Sequence, residues 1–185
     1  GTGVGGGLIL DGSLWSGEAG TSGEIGHITV EPEGKRCHCG NRGCLETVAS
    51  GSWAVAWLKE QLALGASSWL RELYETDPDA LGGEALVVAA RQRDPLAMRA
   101  FDRVGRGLGI AIATTVHLLG ISRVVIGGRF ARAWEVFELP LLEELHHRLT
   151  MFPEEALSIS PALLGDDAGL LGAARLAWDA LGERA

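Results

Sequence analysis

Apolar residues first recur with a period of two. Residues 4–10 and 13–15 read as two short strands, with Asp11 and Gly12 between them as a two-residue hairpin turn. Residues 17–23 form a glycine-rich loop, and residues 27–30, with three β-branched side chains, predict a strand. Residues 31–43 are rich in turn formers. From Cys44 onward the spacing becomes helical. Leu45 and Val48 start one helix, and Trp53, Trp57, Leu58 and Leu62 line a face of the next. Residues 67–74 and 84–91 are expected to be helical. Asp94 followed by Pro95 is an N-cap with proline at the first helical position. It opens a long helix carrying Phe101, Val104, Leu108, Ile112 and Leu119. Residues 122–126 predict a buried strand closed by Gly127 and Gly128. A helix over about 140–149, a strand over 157–163 and a helix over 167–181 complete the chain. The order predicts an α/β fold.

Composition narrows the class. Of 185 residues, 46% are hydrophobic and 22% charged, as in ordinary globular proteins. The 24 acidic residues against 16 basic ones give a net charge of −8, which disfavours nucleic-acid binding through this segment. No apolar run approaches the roughly 20 residues of a membrane span, and no secretory leader is visible, so a cytoplasmic location is expected. The sequence opens at Gly1 in what reads as a strand already in progress. The chain is therefore expected to be part of a longer product, with an exposed apolar strand that promotes association.

The three cysteines, Cys37, Cys39 and Cys44, share one short stretch. An odd, clustered set suits a metal better than disulfides, and zinc commonly takes three cysteines and a histidine. The candidates for the fourth ligand are His27 and His38. His38 lies between two ligands and is expected to point away, which favours His27. The alternatives are three free thiols, or a redox role, which the absence of a CxxC pair disfavours. Asp166 and Asp167 resemble catalytic carboxylates, but Asp167 is better placed as an N-cap of the last helix.

The motifs GTGVGGG, EIGH, CxCGxxGCLE, VVIGG and GDDAGLLGAA, in this order along essentially the whole chain, resemble the ROK family of sugar kinases and sugar-responsive repressors. The resemblance implies an actin-like ATPase (ribonuclease H-like) α/β fold with two domains around a cleft. This chain would be the C-terminal portion: a zinc and sugar loop at 21–47, a helical segment at 48–119 and a nucleotide-side α/β segment at 120–185, with the N-terminal domain absent. It implies a structural zinc on His27, Cys37, Cys39 and Cys44, and sugar hydroxyls bound by Glu24, His27 and Glu46. It implies ATP phosphates at Thr2 and Gly3, and the adenosine at Gly127 and Gly128. The activity implied is Mg-ATP-dependent phosphorylation of a hexose, glucose foremost, by a homo-oligomer. The alternatives are a sugar-responsive repressor, or a kinase for N-acetylmannosamine, fructose or allose. The family's catalytic aspartate lies upstream of the GTG turn, so these 185 residues alone are expected to be inactive.

Overall fold

Asp94 organises the longest element. The structure is a computed structural model and describes residues 2–182. The fully buried Asp94 carboxylate accepts hydrogen bonds from the N–H groups of Leu96 (3.0 Å) and Ala97 (2.8 Å), satisfying two orphan donors of α5 (Pro95–Leu119). Its second oxygen accepts from Trp69 N at 2.7 Å, which pins an earlier loop to the helix start. Gly120, in left-handed conformation, ends α5.

Four helices precede α5: α1 (Glu46–Ala49), α2 (Gly51–Ala63), α3 (Arg71–Thr76) and α4 (Gly83–Arg91). Their buried side chains, including Val48, Leu58, Leu62 and Leu86, join Phe101, Val104 and Ile112 of α5 in one core. Each fully buried side chain of this size contributes roughly 1.5–3 kcal/mol. Against α5 lies α6 (Trp134–Arg148), with Phe101 and Phe137 stacked at 6.5 Å and Trp134 edge-on to Phe137 at 5.5 Å. A final helix, α7 (Ala168–Gly182), closes the described chain.

The strands form two pairs. The hairpin β1 (Leu8–Leu10) and β2 (Ser13–Trp15) is antiparallel, with Asp11 and Gly12 both at positive φ as a two-residue turn demands. The pair β3 (Arg123–Ile126) and β4 (Ser158–Pro161) is parallel, and α6 supplies the crossover that parallel strands need.

Several expectations are corrected. The first ladder covers only Leu8–Leu10, because residues 2–4 bond instead to side chains of α1 and α2. Residues 27–30 are not a strand: Ile25–His27 is a 3-10 turn, and Thr29 makes an isolated bridge with Cys44. The helix expected over 67–74 starts only at Arg71, since Trp69 and Leu70 give their N–H groups to Asp94 and Ser68. The strand β3 is not buried. Val125 is 57% exposed, and β3 has a strand partner on one edge only among the described residues. Pro140 lies inside α6 instead of opening it. Its ring fits against Gly105 of α5, where a Cβ would come within 2.8 Å of Pro140 Cγ. The last helix is entered through a 3-10 turn, Gly165–Asp167, in which Asp167 N–H donates to Leu164 O, and among the described residues the Asp167 side chain has no cap hydrogen bond; Asp166 pairs with Arg132. Among the described residues no helix is long and apolar enough to cross a membrane.

Candidate functional site

The cysteine loop folds as a knuckle. Cys37 N–H donates to Asn41 O (2.8 Å), Gly40 N–H to Cys37 O (3.0 Å) and Gly43 N–H to Lys35 O (2.9 Å). Val30 and Glu31 both donate to Gly43 O, and Leu45 N–H donates to Ile28 O, so the chain after the His27 turn lies alongside the chain entering α1. Gly43 is required there. Its φ is +64°, and a Cβ would stand 1.5 Å from Glu31 O.

This folding brings one donor atom each from His27, Cys37, Cys39 and Cys44 within 4.8 Å of one another. His27 Nδ1 and Cys37 Sγ are 3.7 Å apart, as are Cys39 Sγ and Cys44 Sγ. Two sulfurs bound tetrahedrally to one zinc at the usual length are separated by about 3.8 Å. The donor set and spacing therefore fit zinc. His38 turns away as expected, its ring 6.1 Å from that of Trp53. Cys37 and Cys44 are buried and Cys39 is exposed. Burial, and then the neighbouring sulfurs of Cys39 and Cys37, push the Cys44 thiol up to about 12, whereas the Asn41 backbone N–H lowers that of Cys39. A divalent cation at the centre would reverse that preference for the neutral thiol.

The other ring nitrogen of His27, Nε2, lies 3.7 Å from Glu24 Oε2. Glu24 is exposed and His27 half-buried. Glu46, at the start of α1, does not point into open solvent: its Oε2 accepts from Val4 N–H at 3.1 Å. The Thr2 carbonyl accepts from Ser52 Oγ at 3.0 Å. Gly3, Glu24, Gly127 and Gly128 line one groove of about 560 Å³, walled on one side by Leu108 and Ile112 of α5. Of the expected site residues, Thr2, His27 and Glu46 are not among those lining that groove. Gly1 of the glycine run lies outside the described residues.

Sequence reasoning took Asn41 only as a turn former and missed its role in the knuckle, and it missed Ser52. Asn41 holds the knuckle with its carbonyl on Cys37 N–H and its Nδ2 on Thr29 Oγ1 (3.1 Å). Its place in the turn-rich run after Gly40 gave the turn but not these bonds. Ser52, at the start of α2, had no local signal.

The ROK family model matches residues 1–180. The chain belongs to the ROK family. As a ROK chain it is 37% identical to the glucokinase of Thermotoga maritima over 182 residues, which are 98% of this chain and 57% of that protein. It is 38% identical over 141 residues to the DNA-binding transcriptional dual regulator NagC of Escherichia coli, covering 76% of this chain and 33% of that protein. Its structure superposes on a ROK family glucokinase from Streptomyces griseus, solved with glucose and AMPPNP, with a TM-score of 0.80 and 33% identity, over 95% of this chain and 57% of that one. The fold is the expected α/β, actin-like ATPase class. The chain spans little more than half the length of the glucokinases it matches.

Proposed function

We propose that this chain is the sugar- and phosphate-binding part of an ATP-dependent hexose kinase with glucose as its first substrate. The carrying observation is the double placement of His27, with Nδ1 among three sulfurs and Nε2 facing Glu24. A zinc on His27, Cys37, Cys39 and Cys44 would have four protein ligands and no open position, so it would supply rigidity and a fixed imidazole tautomer. With Nδ1 committed, Nε2 carries the hydrogen and donates to a sugar hydroxyl, while the carboxylates of Glu24 and Glu46 accept from hydroxyls. That combination reads a diol.

The Thr2 hydroxyl and Gly3 N–H serve the phosphates of Mg-ATP. Gly127 and Gly128, without side chains, let the nucleoside lie against the end of β3. No aspartate is among the groove-lining residues described. The resemblance to the family puts the base, an aspartate, upstream of the GTG turn, so the chain alone should not turn over. The kinships with the Thermotoga and Streptomyces glucokinases support this reading. The same reading places the protein in the cytoplasm as a homo-oligomer.

The kinship with NagC favours a second reading, a sugar-responsive repressor. ADP release by the full-length protein, with Mg-ATP and a panel of hexoses, separates the two. Glucose-dependent release is expected. Folded, zinc-loaded protein that turns over no sugar but loses a DNA ligand on adding one would replace the kinase by the repressor.

A further inference from the structure

The backbone at residues 2–4 is held from two sides by the elements that carry the sugar-site residues. On one side Glu46 Oε2 accepts from Val4 N–H at 3.1 Å, and Gly3 lies so close that a Cβ there would come within 2.6 Å of that oxygen. On the other side Gly26, in the 3-10 turn bearing Glu24 and His27, packs on the Val4 carbonyl. A Cβ on Gly26 would stand 2.0 Å from Val4 O. Gly23 meets Gly6 in the same way, its Cβ position 2.6 Å from Gly6 O. Gly23 and Gly26 are thus required by backbone contact with the opening run, and so is Gly6 of that run, whose Cβ would stand 2.8 Å from Gly23 O, independently of any phosphate.

Glu46 is half-buried, and its other oxygen, Oε1, has no protein partner among the described residues. A carboxylate has lone pairs for several donors, and bonds from an ionised acceptor are the stronger kind. One oxygen can hold Val4 while the other receives a hydroxyl.

We infer that Glu46 is a positioning residue as well as a sugar ligand: it sets the geometry of the phosphate turn at residues 2–4 and links it to sugar capture. The inference rests on the kinase reading above. A sugar hydroxyl on Oε1 fixes the carboxylate. The fixed carboxylate in turn holds the Val4 N–H, and with it the Thr2 and Gly3 groups that meet phosphate. By reciprocity, sugar and nucleotide should each tighten the other.

The test measures affinity for a non-hydrolysable ATP analogue with Mg²⁺, by calorimetry on the full-length protein. In the wild type, saturating glucose should tighten the nucleotide severalfold. Without any sugar, E46A should weaken it about tenfold, the size expected for a lost charge-assisted hydrogen bond. E46Q, which keeps a carbonyl acceptor for Val4, should recover most of that loss while sugar binding stays weak. G26A leaves Glu46 intact but drives a methyl into the Val4 carbonyl, and should weaken the nucleotide too. It decides the matter should E46A fail to fold, with zinc content as the check. E46A that binds nucleotide like the wild type in the absence of sugar, or glucose that leaves wild-type nucleotide affinity unchanged, overturns the inference alone. A wild type that binds no nucleotide overturns the kinase reading and the inference together.

Discussion

Cys44 is fully buried and crowded by two other sulfurs, and this sets how the metal centre answers to pH. Without metal, its thiol is pushed up to about 12 from an ordinary 9.0. Below about pH 9 the group is protonated folded or unfolded, and its contribution to stability is fully present. That contribution is lost as pH rises through about 12. Zinc needs the thiolate, so capture near neutrality must expel protons. Zinc affinity should fall about tenfold per pH unit for each proton released between pH 8 and 6. Competition with a chromophoric chelator measures this, and a flat profile would mean that the thiols are not ligands. The cluster of four candidate ligands was legible in the sequence because they sit in one short stretch where spacing constrains geometry. The bond from Val4 to Glu46 was not, because 42 positions separate the partners and neither has a local pattern pointing to the other.

At the scale of elements, α5 depends on Asp94. Its buried carboxylate serves two buried cap donors and the part-buried N–H of Trp69. Asp94→Ala should cost about 2–4 kcal/mol, a lost cap plus one buried donor left unpaired. A urea denaturation midpoint reads this directly, and a change under about 0.5 kcal/mol, as at an ordinary surface site, would refute it. The cap itself was plain from Asp94 and Pro95, since capping is a rule of adjacent residues. Pro140 misled for the same reason. Proline favours the first turn of a helix, and local rules place it there. It sits in the middle of α6 because α5 presents a notch at Gly105, a neighbour in space and not in sequence. The 3-10 turn at Ile25–His27 was hidden likewise: its β-branched neighbours suggest a strand, while the packing of Gly26 on Val4 bends the chain.

Across the whole molecule, core and metal knuckle are packed, but α7 is not. Leu171, Trp178 and Leu181 recur at helical spacing along one stripe of α7, with Leu170 beside it and Leu176 on the opposite face, all exposed; Trp178 is 75% so. An apolar stripe of that length drives association. The 185-residue chain should therefore self-associate with rising concentration in light scattering, despite its net charge of −8, and L171E with W178E should reduce this. Unchanged scattering from the double variant would put the sticky surface elsewhere, at the exposed edge of β3 for example. The candidate metal ligands have a different consequence. All four belong to residues 27–44, whereas the helical core is built almost wholly from residues after them. The knuckle can thus open as a local unit with the helices intact. If zinc holds this knuckle as proposed, a preparation stripped of it would keep its circular dichroism and its melting transition while the proposed sugar pocket lay dismantled, so an ordinary fold check would pass a protein unable to bind.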